Sequence, residues 1–263
     1  MAVNVGKTKY IIFRPKGKQI NLAGDGIVFN NNEIGKDQNP DKIWKLDRVY
    51  NNNPDKLNRT YKLLGIYLDE YLSFDTHCDS VCSKISQSNY IINRAKNFLN
   101  PQSLKTLYFS LVHPHLLYCL PIYSCTSLHN ISKLEKAQKK AIRTISRAPR
   151  NAPSAPLFQN LCILPFKQLV TYSQCLLTHS IIHKHAPASL HSTWITNNSI
   201  SNNITLRNGN DLHIPLARTD QVKKLPFFHF PKTWNDLPDI KLNPNKTSFK
   251  TTLKTYLTSP PLL

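Results

Sequence analysis

Residues 107–126 (LYFSLVHPHLLYCLPIYSCT) contain no Asp, Glu, Lys or Arg. An uncharged run of about twenty residues has to be covered, either by lipid or by the rest of the chain. Here Pro114 and Pro121 interrupt it, and Ser110, His113 and His115 place polar groups inside it. A continuous membrane span tolerates that pattern poorly, so the run reads as a pair of buried helices in a protein core. The flanking chain must then supply amphipathic helices to cover them. It does so on both sides.

Downstream, 131–148 (ISKLEKAQKKAIRTISRA) repeats Ile131, Leu134, Ala141, Ile142 and Ile145 at helical spacing, which makes one apolar stripe. Lys133, Lys136, Lys139, Lys140, Arg143 and Arg147 occupy the other faces, opposed only by Glu135. Taken alone, such a face is a solvated surface; what raises its interest is that the whole chain is basic. Lys and Arg number 34 against 15 Asp and Glu, a net charge of +19 over 263 residues, and the pI is near 9.7. That surplus favours a polyanionic partner over a small metabolite. Only 7 glycines argue against the glycine-rich phosphate loops of nucleotide-binding folds. Gly6-Lys7-Thr8 imitates such a loop but lacks the earlier glycine and the preceding strand.

Upstream of the uncharged run, Asp75 or Thr76 caps a helix predicted to reach about Leu99, with Cys78, Val81, Cys82, Ile85, Ile92, Ala95 and Leu99 as its stripe. Asn100-Pro101 ends it and opens the next, on which Leu104, Leu107, Tyr108 and Leu111 face inward until Pro114. Short connections between these pieces predict a helical bundle. Residues 61–74 (YKLLGIYLDEYLSF) read as strand, acidic turn at Asp69 and Glu70, and strand. Residues 9–13 form a short strand; 16–60, rich in Asn, Asp, Lys and Gly, read as turns with a hairpin near 24–26. The proline-rich 150–156 is the natural joint. Beyond it, 164–183 is a long helix, 186–205 loop, 213–230 a strand-like pair around Arg218 and Thr219, and 249–257 a terminal helix. The fold class is α+β, mostly α. The 6 scattered cysteines and the absence of a secretory pattern at the N-terminus predict reduced thiols in an intracellular protein.

Six stretches in order carry a likeness: NVGKTKYIIF (4–13), KLLGIYLDEYLSFDTH (62–77), LKTLYFSLVHPHLLY (104–118), ISKLEKAQKKAIRTI (131–145), APLFQNLCILP (155–165) and RTDQVKKLPFFHFPKTWNDLP (218–238). The chain resembles the reverse transcriptases of non-LTR (LINE-type, jockey-like) retrotransposons, over the end of the palm, the thumb and the C-terminal connection region. The resemblance implies a palm remnant with a primer-grip-like hairpin over 1–74, a helical thumb over 75–150 and a connection region, helix-rich with long loops, over 151–263. It implies that Lys7 lies near the phosphates of an incoming nucleotide, that Leu64, Gly65 and Ile66 pack under the primer end, and that the basic helix tracks an RNA–DNA template–primer hybrid. Nuclear and cytoplasmic ribonucleoprotein localisation is expected for such a protein.

Polymerases of this kind need carboxylates holding Mg²⁺. The resemblance puts those carboxylates ahead of the residue matching Met1, in the palm of a parent polyprotein whose endonuclease portion is missing here too, so this stretch is expected not to polymerise by itself. Tyr67-Leu68-Asp69-Glu70 imitates the catalytic turn but falls on the wrong side of the Lys7 segment. Three further readings compete. The same basic surface suits a domesticated, non-enzymatic nucleic-acid-binding protein, or the product of a decayed gene. His77-Cys78-Asp79 matches part of the iron-binding triad of AlkB-type 2-oxoglutarate oxygenases, although that triad needs a sheet core and 75–148 reads as helix. Elsewhere, Cys175, His179 and His183 share one helix face at metal-like spacing, with core packing of Cys175 beside exposed histidines as the plainer expectation and no metal site assigned. Near the C-terminus, Phe227, Phe228, Phe230 and Trp234 interleave with Lys223, Lys224 and Lys232. The aromatics are expected to form a small core, and the lysines to meet nucleic acid at its edge.

Overall fold

The computed structural model describes residues 8–17, 27–30, 43–50, 59–200 and 208–258. The chain divides into two compact units, 1–79 and 80–263.

In the first unit, three two-stranded sheets are described. Strand β1 (Lys9–Ile11) pairs in parallel with β4 (Asp47–Val49), Tyr10 opposite Arg48. β2 (Val28–Asn30) and β3 (Ile43–Lys45) pair antiparallel. Three of these strands lie in the stretch that the Asn-rich composition marks as turns, where Ile43, Trp44 and Val49 are the β-formers. The hairpin expected near 24–26 lies outside the described residues.

β5 (Tyr61–Leu63) and β6 (Ile66–Leu68) form the expected hairpin with Leu63 opposite Ile66, but its turn is not the acidic pair. Leu64 and Gly65 make it, with φ of 46° and 89°. Two positive φ values at the central positions match the twist of the flanking strands. Asp69 and Glu70 come after the second strand and are both buried. Asp69 Oδ1 accepts hydrogen bonds from the backbone N–H groups of Ser73 (2.8 Å) and Phe74 (3.3 Å), and Oδ2 accepts from Ser73 Oγ (3.0 Å). Glu70, with no exposed side-chain surface, receives Arg14 Nε at 2.8 Å and lies 3.9 Å from an Arg48 amino group. A carboxylate that leaves water needs such partners.

The second unit is helical, and its first helix begins within the last residues of the first unit. Helix α1 (Asp75–Ala95) buries Cys78, Val81, Ile85 and Ile92 on one face; Cys82, Ala95 and Leu99 are only half-buried. Asn100 caps α2 (Pro101–Leu111) by accepting from the Ser103 N–H at 2.8 Å, with Pro101 in the first turn. The uncharged run becomes the end of α2, then α3 (His113–Leu117) and α4 (Leu120–Tyr123), with a proline in the first turn of each short helix, where its missing N–H costs nothing. Tyr108, Val112, Leu116, Leu120 and Tyr123 are all fully buried, and Tyr123 Oη donates to the Leu116 carbonyl. Among the described residues no helix is long and apolar enough to cross a membrane.

The basic helix, α5 (Leu128–Ile145), starts earlier than the apolar stripe suggests because Ser127 caps it. Its buried face is Asn130, Leu134, Gln138, Ala141, Ile142 and Ile145, whereas Ile131 is only half-buried. Gln138 fills the gap in the apolar repeat. Its Nε2 donates to Tyr108 Oη and to the Leu164 carbonyl, both at 3.0 Å, tying α2 and the chain ahead of the next long helix to α5. α6 (Ser154–Leu161) starts inside the proline-rich 150–156, which is therefore partly helical, and packs on α5.

α7 (Phe166–Ile182) is enclosed by neighbours nearly all round. Besides Leu169 and Ile181 it buries Ser173, Gln174, Cys175, Thr178 and His179. Gln174 Nε2 donates to Ser124 Oγ at 3.0 Å. After a single turn, α8 (Asn197–Ile200), the strand pair expected over 213–230 is replaced by two helices. Thr219 caps α9 (Asp220–Lys224), and Pro226 opens α10 (Pro226–Asn235), whose Phe230 and Trp234, four apart, are buried. Helical spacing and two start signals outweigh the β-propensity of a short aromatic run. The terminal helix α11 (Lys246–Thr258) buries Phe249 and Leu253 against α7. The architecture is α+β and mostly α.

Candidate nucleic-acid interface

The C-terminal half of α5 runs beside the end of α1, and a groove of ≈ 590 Å³ opens between them. Lys96 from the end of α1, Lys136, Lys140 and Arg143 from α5, and Arg147 and Arg150 just beyond it line the groove, and no carboxylate does. Residues 136, 140 and 143 recur at helical spacing, so one ridge of α5 supplies half of the charge. Lys136, Lys140, Arg147 and Arg150 are exposed.

Two of the arginines are anchored. One amino group of Arg147 donates to the carbonyls of Lys96 (2.7 Å) and Leu99 (2.8 Å), which follow the last turn of α1. That hold is made where the chain turns out of α5 with Arg147 at φ 52°. Arg143 Nε donates to the Ala152 carbonyl at 2.9 Å. Anchoring fixes both guanidinium groups to the groove wall while leaving their remaining N–H donors for an anion.

The six basic residues expected on α5 therefore separate. Lys136, Lys140, Arg143 and Arg147 share the groove; Lys139 instead forms an ion pair with Glu135 at 2.6 Å, and Lys167 reaches the same carboxylate at 3.9 Å. Lys133 is not among the lining residues. Lys96 and Arg150 join from outside the helix, and sequence spacing had no means of selecting them. Lys223 and Lys224 are exposed at the edge of α9 and Lys232 at the edge of α10, while Phe230 and Trp234 are core and Phe227 is 58 % exposed. In the first unit Ile66 is buried and Leu64 is 82 % exposed at the hairpin tip. Lys7 lies outside the described residues.

The other constellations resolve as packing. His77 is buried and Asp79 exposed; two residues apart on a helix, they point away from each other and cannot share a ligand. Among the described residues no three of His, Cys, Asp and Glu are grouped to hold a metal. Cys175 is buried, and desolvation pushes its thiol up to about 12. His179, expected on the surface, is fully buried. Its Nε2–H donates to the Asn243 carbonyl at 2.8 Å and its ring stacks on Phe249 with centroids 4.2 Å apart. Nor do Asp69 and Glu70 fit a Mg²⁺ pair, since the first is bonded to two backbone N–H groups and the second to guanidinium.

No family model and no solved structure matches the chain. Two curated proteins do. One, the RNA-directed DNA polymerase from the mobile element jockey of Drosophila funebris, is 31% identical over 93 residues, which is 34% of this chain and 10% of that protein. Its counterpart from Drosophila melanogaster is 30% identical over 96 residues, 35% of this chain and again 10% of the relative. The matched segment thus spans about a tenth of the length of these polymerases. Over that third of its length, the chain is similar to the RNA-directed DNA polymerases of jockey mobile elements.

Proposed function

We propose that this chain is the thumb side of such a reverse transcriptase, with palm-end and connection segments on either side, and that its basic groove holds the phosphate backbone of an RNA–DNA template–primer. The observation that carries the reading is the groove itself: six cations from two chain segments converge there without one carboxylate. Backbone phosphates are the ligand such a surface suits, because each neutralised phosphate releases condensed counterions. Contacts of this type set position and carry no sequence information. Lys223, Lys224 and Lys232 extend the basic surface at the edge of the C-terminal helices.

Catalysis in the complete polymerase would use Mg²⁺ held by carboxylates elsewhere; with Asp69 and Glu70 committed to local structure, the described residues act by holding nucleic acid. Mg²⁺-dependent nucleotide incorporation by this chain that vanishes in Asp69→Ala would overturn that division of labour. The binding reading is tested by fluorescence anisotropy on an RNA–DNA hybrid. The chain is expected to bind in a salt-dependent and sequence-tolerant way, and Lys136→Glu/Lys140→Glu to weaken binding by about a hundredfold and to flatten the salt slope by about two. Unchanged affinity in the double variant removes the groove from consideration.

A further inference from the structure

Next to the cationic groove, and sharing Asn93, Lys140 and Thr144 with it, lies a second pocket of ≈ 250 Å³ completed by Ser86, Asn89 and Tyr90 of α1. Its character differs. Lys140 is the only charged residue in the lining; the remainder are amides, hydroxyls and one phenol ring. Asn89 is 5 % exposed, and its Oδ1 is buried with no hydrogen-bond partner among the described residues. A buried carbonyl left in that state costs free energy that an incoming donor recovers. Asn89 also lines the pocket, and its amide turns about a terminal torsion that is broad and soft. Tyr90 is 60 % exposed, and Arg94 Nε donates to its hydroxyl at 3.2 Å, restraining the ring at the pocket rim.

A flat aromatic surface, an amide lacking a partner and an adjoining run of phosphate-binding cations are the three parts of a base-recognition site on a nucleic-acid track. We propose that this pocket receives one unpaired nucleobase of a strand whose phosphates lie along Lys136, Lys140 and Arg143. The base stacks on Tyr90, its edge N–H donates to Asn89 Oδ1, and Lys140 bridges pocket and groove by meeting the flanking phosphate. A fully paired duplex cannot fill the site, because its bases are stacked inward. The pocket therefore selects a single-stranded overhang or a frayed end. This proposal rests on the groove being a nucleic-acid interface and adds to it a preference for an unpaired base.

The experiment compares two single-stranded probes on the full chain by fluorescence anisotropy: a hexamer of deoxyadenylate, and a hexamer of the same sugar–phosphate charge with every base removed. The deoxyadenylate hexamer is expected to bind at least about tenfold more tightly. Tyr90→Ala and Asn89→Leu are each expected to erase most of that difference while leaving the abasic probe's affinity unchanged, and Tyr90→Phe to preserve it. Tyr90 is exposed, so its replacement decides the matter even if Asn89→Leu fails to fold. Equal affinity of the wild type for both probes, or a base preference that survives Tyr90→Ala, overturns the subsite while leaving the groove intact. Failure of both probes to bind in a salt-dependent way would instead refute the groove, and this site with it.

Discussion

Cations in the two units meet opposite surroundings. In the first, Arg14 and Arg48 both turn towards one buried carboxylate, Glu70. In the second, six lysines and arginines share a groove that no carboxylate lines. Composition alone predicts that most cations go unmatched, since Lys and Arg outnumber Asp and Glu 34 to 15; it does not say where. What separates a structural cation from one offered to a ligand is the placement of the few acids. Each acid near a basic cluster removes part of it from use: Glu70 claims two arginines, and Glu135 draws Lys139 and Lys167.

The first way to break that contrast is to remove the acid. Glu70→Gln keeps the shape but leaves two guanidinium groups facing a neutral buried amide, and breaking a buried pair from one side costs more than the pair was worth. Of all the substitutions proposed for this protein it is expected to give the largest stability loss, seen as a lowered denaturant midpoint and as faster proteolysis within 8–79, with hybrid binding by the groove untouched. A neutral result would mean that Glu70 does not organise its cluster.

Next in size is the buried face of the basic helix. Gln138→Leu matches the apolar character of its neighbours but leaves Tyr108 Oη and the Leu164 carbonyl without their shared donor. The expected loss is about 1–3 kcal/mol by chemical denaturation. The residue also marks the limit of what sequence could show. Apolar spacing locates α5, the Asn100-Pro101 boundary and the broken uncharged run, because each rests on local chemistry: a stripe, a cap, a proline. Gln138 escapes that logic, because a polar residue in an apolar repeat reads as surface until its distant partners, Tyr108 and Leu164, are known. Lys96 and Arg150 escape it for the same reason, since only folding brings them to the helix they flank. At the hairpin the difference is of another kind. The acidic pair looks like a turn, yet Leu64 and Gly65 already have the required two-residue spacing between strands. The helices over 220–235 show that a short aromatic run does not distinguish helix from strand; caps do.

A finer test compares neighbours on one helix. Lys139 and Lys140 differ by one position, but the first is paired with Glu135 and the second faces the groove. Lys140→Glu is expected to weaken hybrid binding about tenfold. Lys139→Glu, which breaks an i,i+4 pair worth about 0.3–0.5 kcal/mol, is expected to change binding by less than about twofold. Equal effects would mean that total charge, and not the groove, governs affinity.

The smallest effect concerns a third arrangement, chargeable groups buried without an acid. His179 is enclosed between α7, α10 and α11, its Nε2–H given to the Asn243 carbonyl, while Nδ1 is buried with no partner among the described residues. His183 lies 4.3 Å from it and His185 6.0 Å, centroid to centroid, and Lys246 adds a further positive charge. Desolvation is the main cause that holds its pKa below the ordinary 6.5, only partly offset by the bond to Asn243. The sign follows. Above about pH 6.5 the imidazole is neutral in both folded and unfolded chains and costs nothing. Below it, the unfolded chain takes up a proton that the folded one resists, so stability falls as pH drops towards the folded pKa. His113, His115 and His229 are shifted the same way, each mainly by burial, so the informative quantity is a difference in slope. His179→Gln is expected to lower stability at about pH 7.5, because the ring stacking is lost, yet to flatten the decline in melting temperature between about pH 7 and 5.5. An unaltered slope would mean that His179 takes up its proton at the same pH folded as unfolded, and that burial here does not disfavour a cation despite the absence of the carboxylate that Arg14 and Arg48 share.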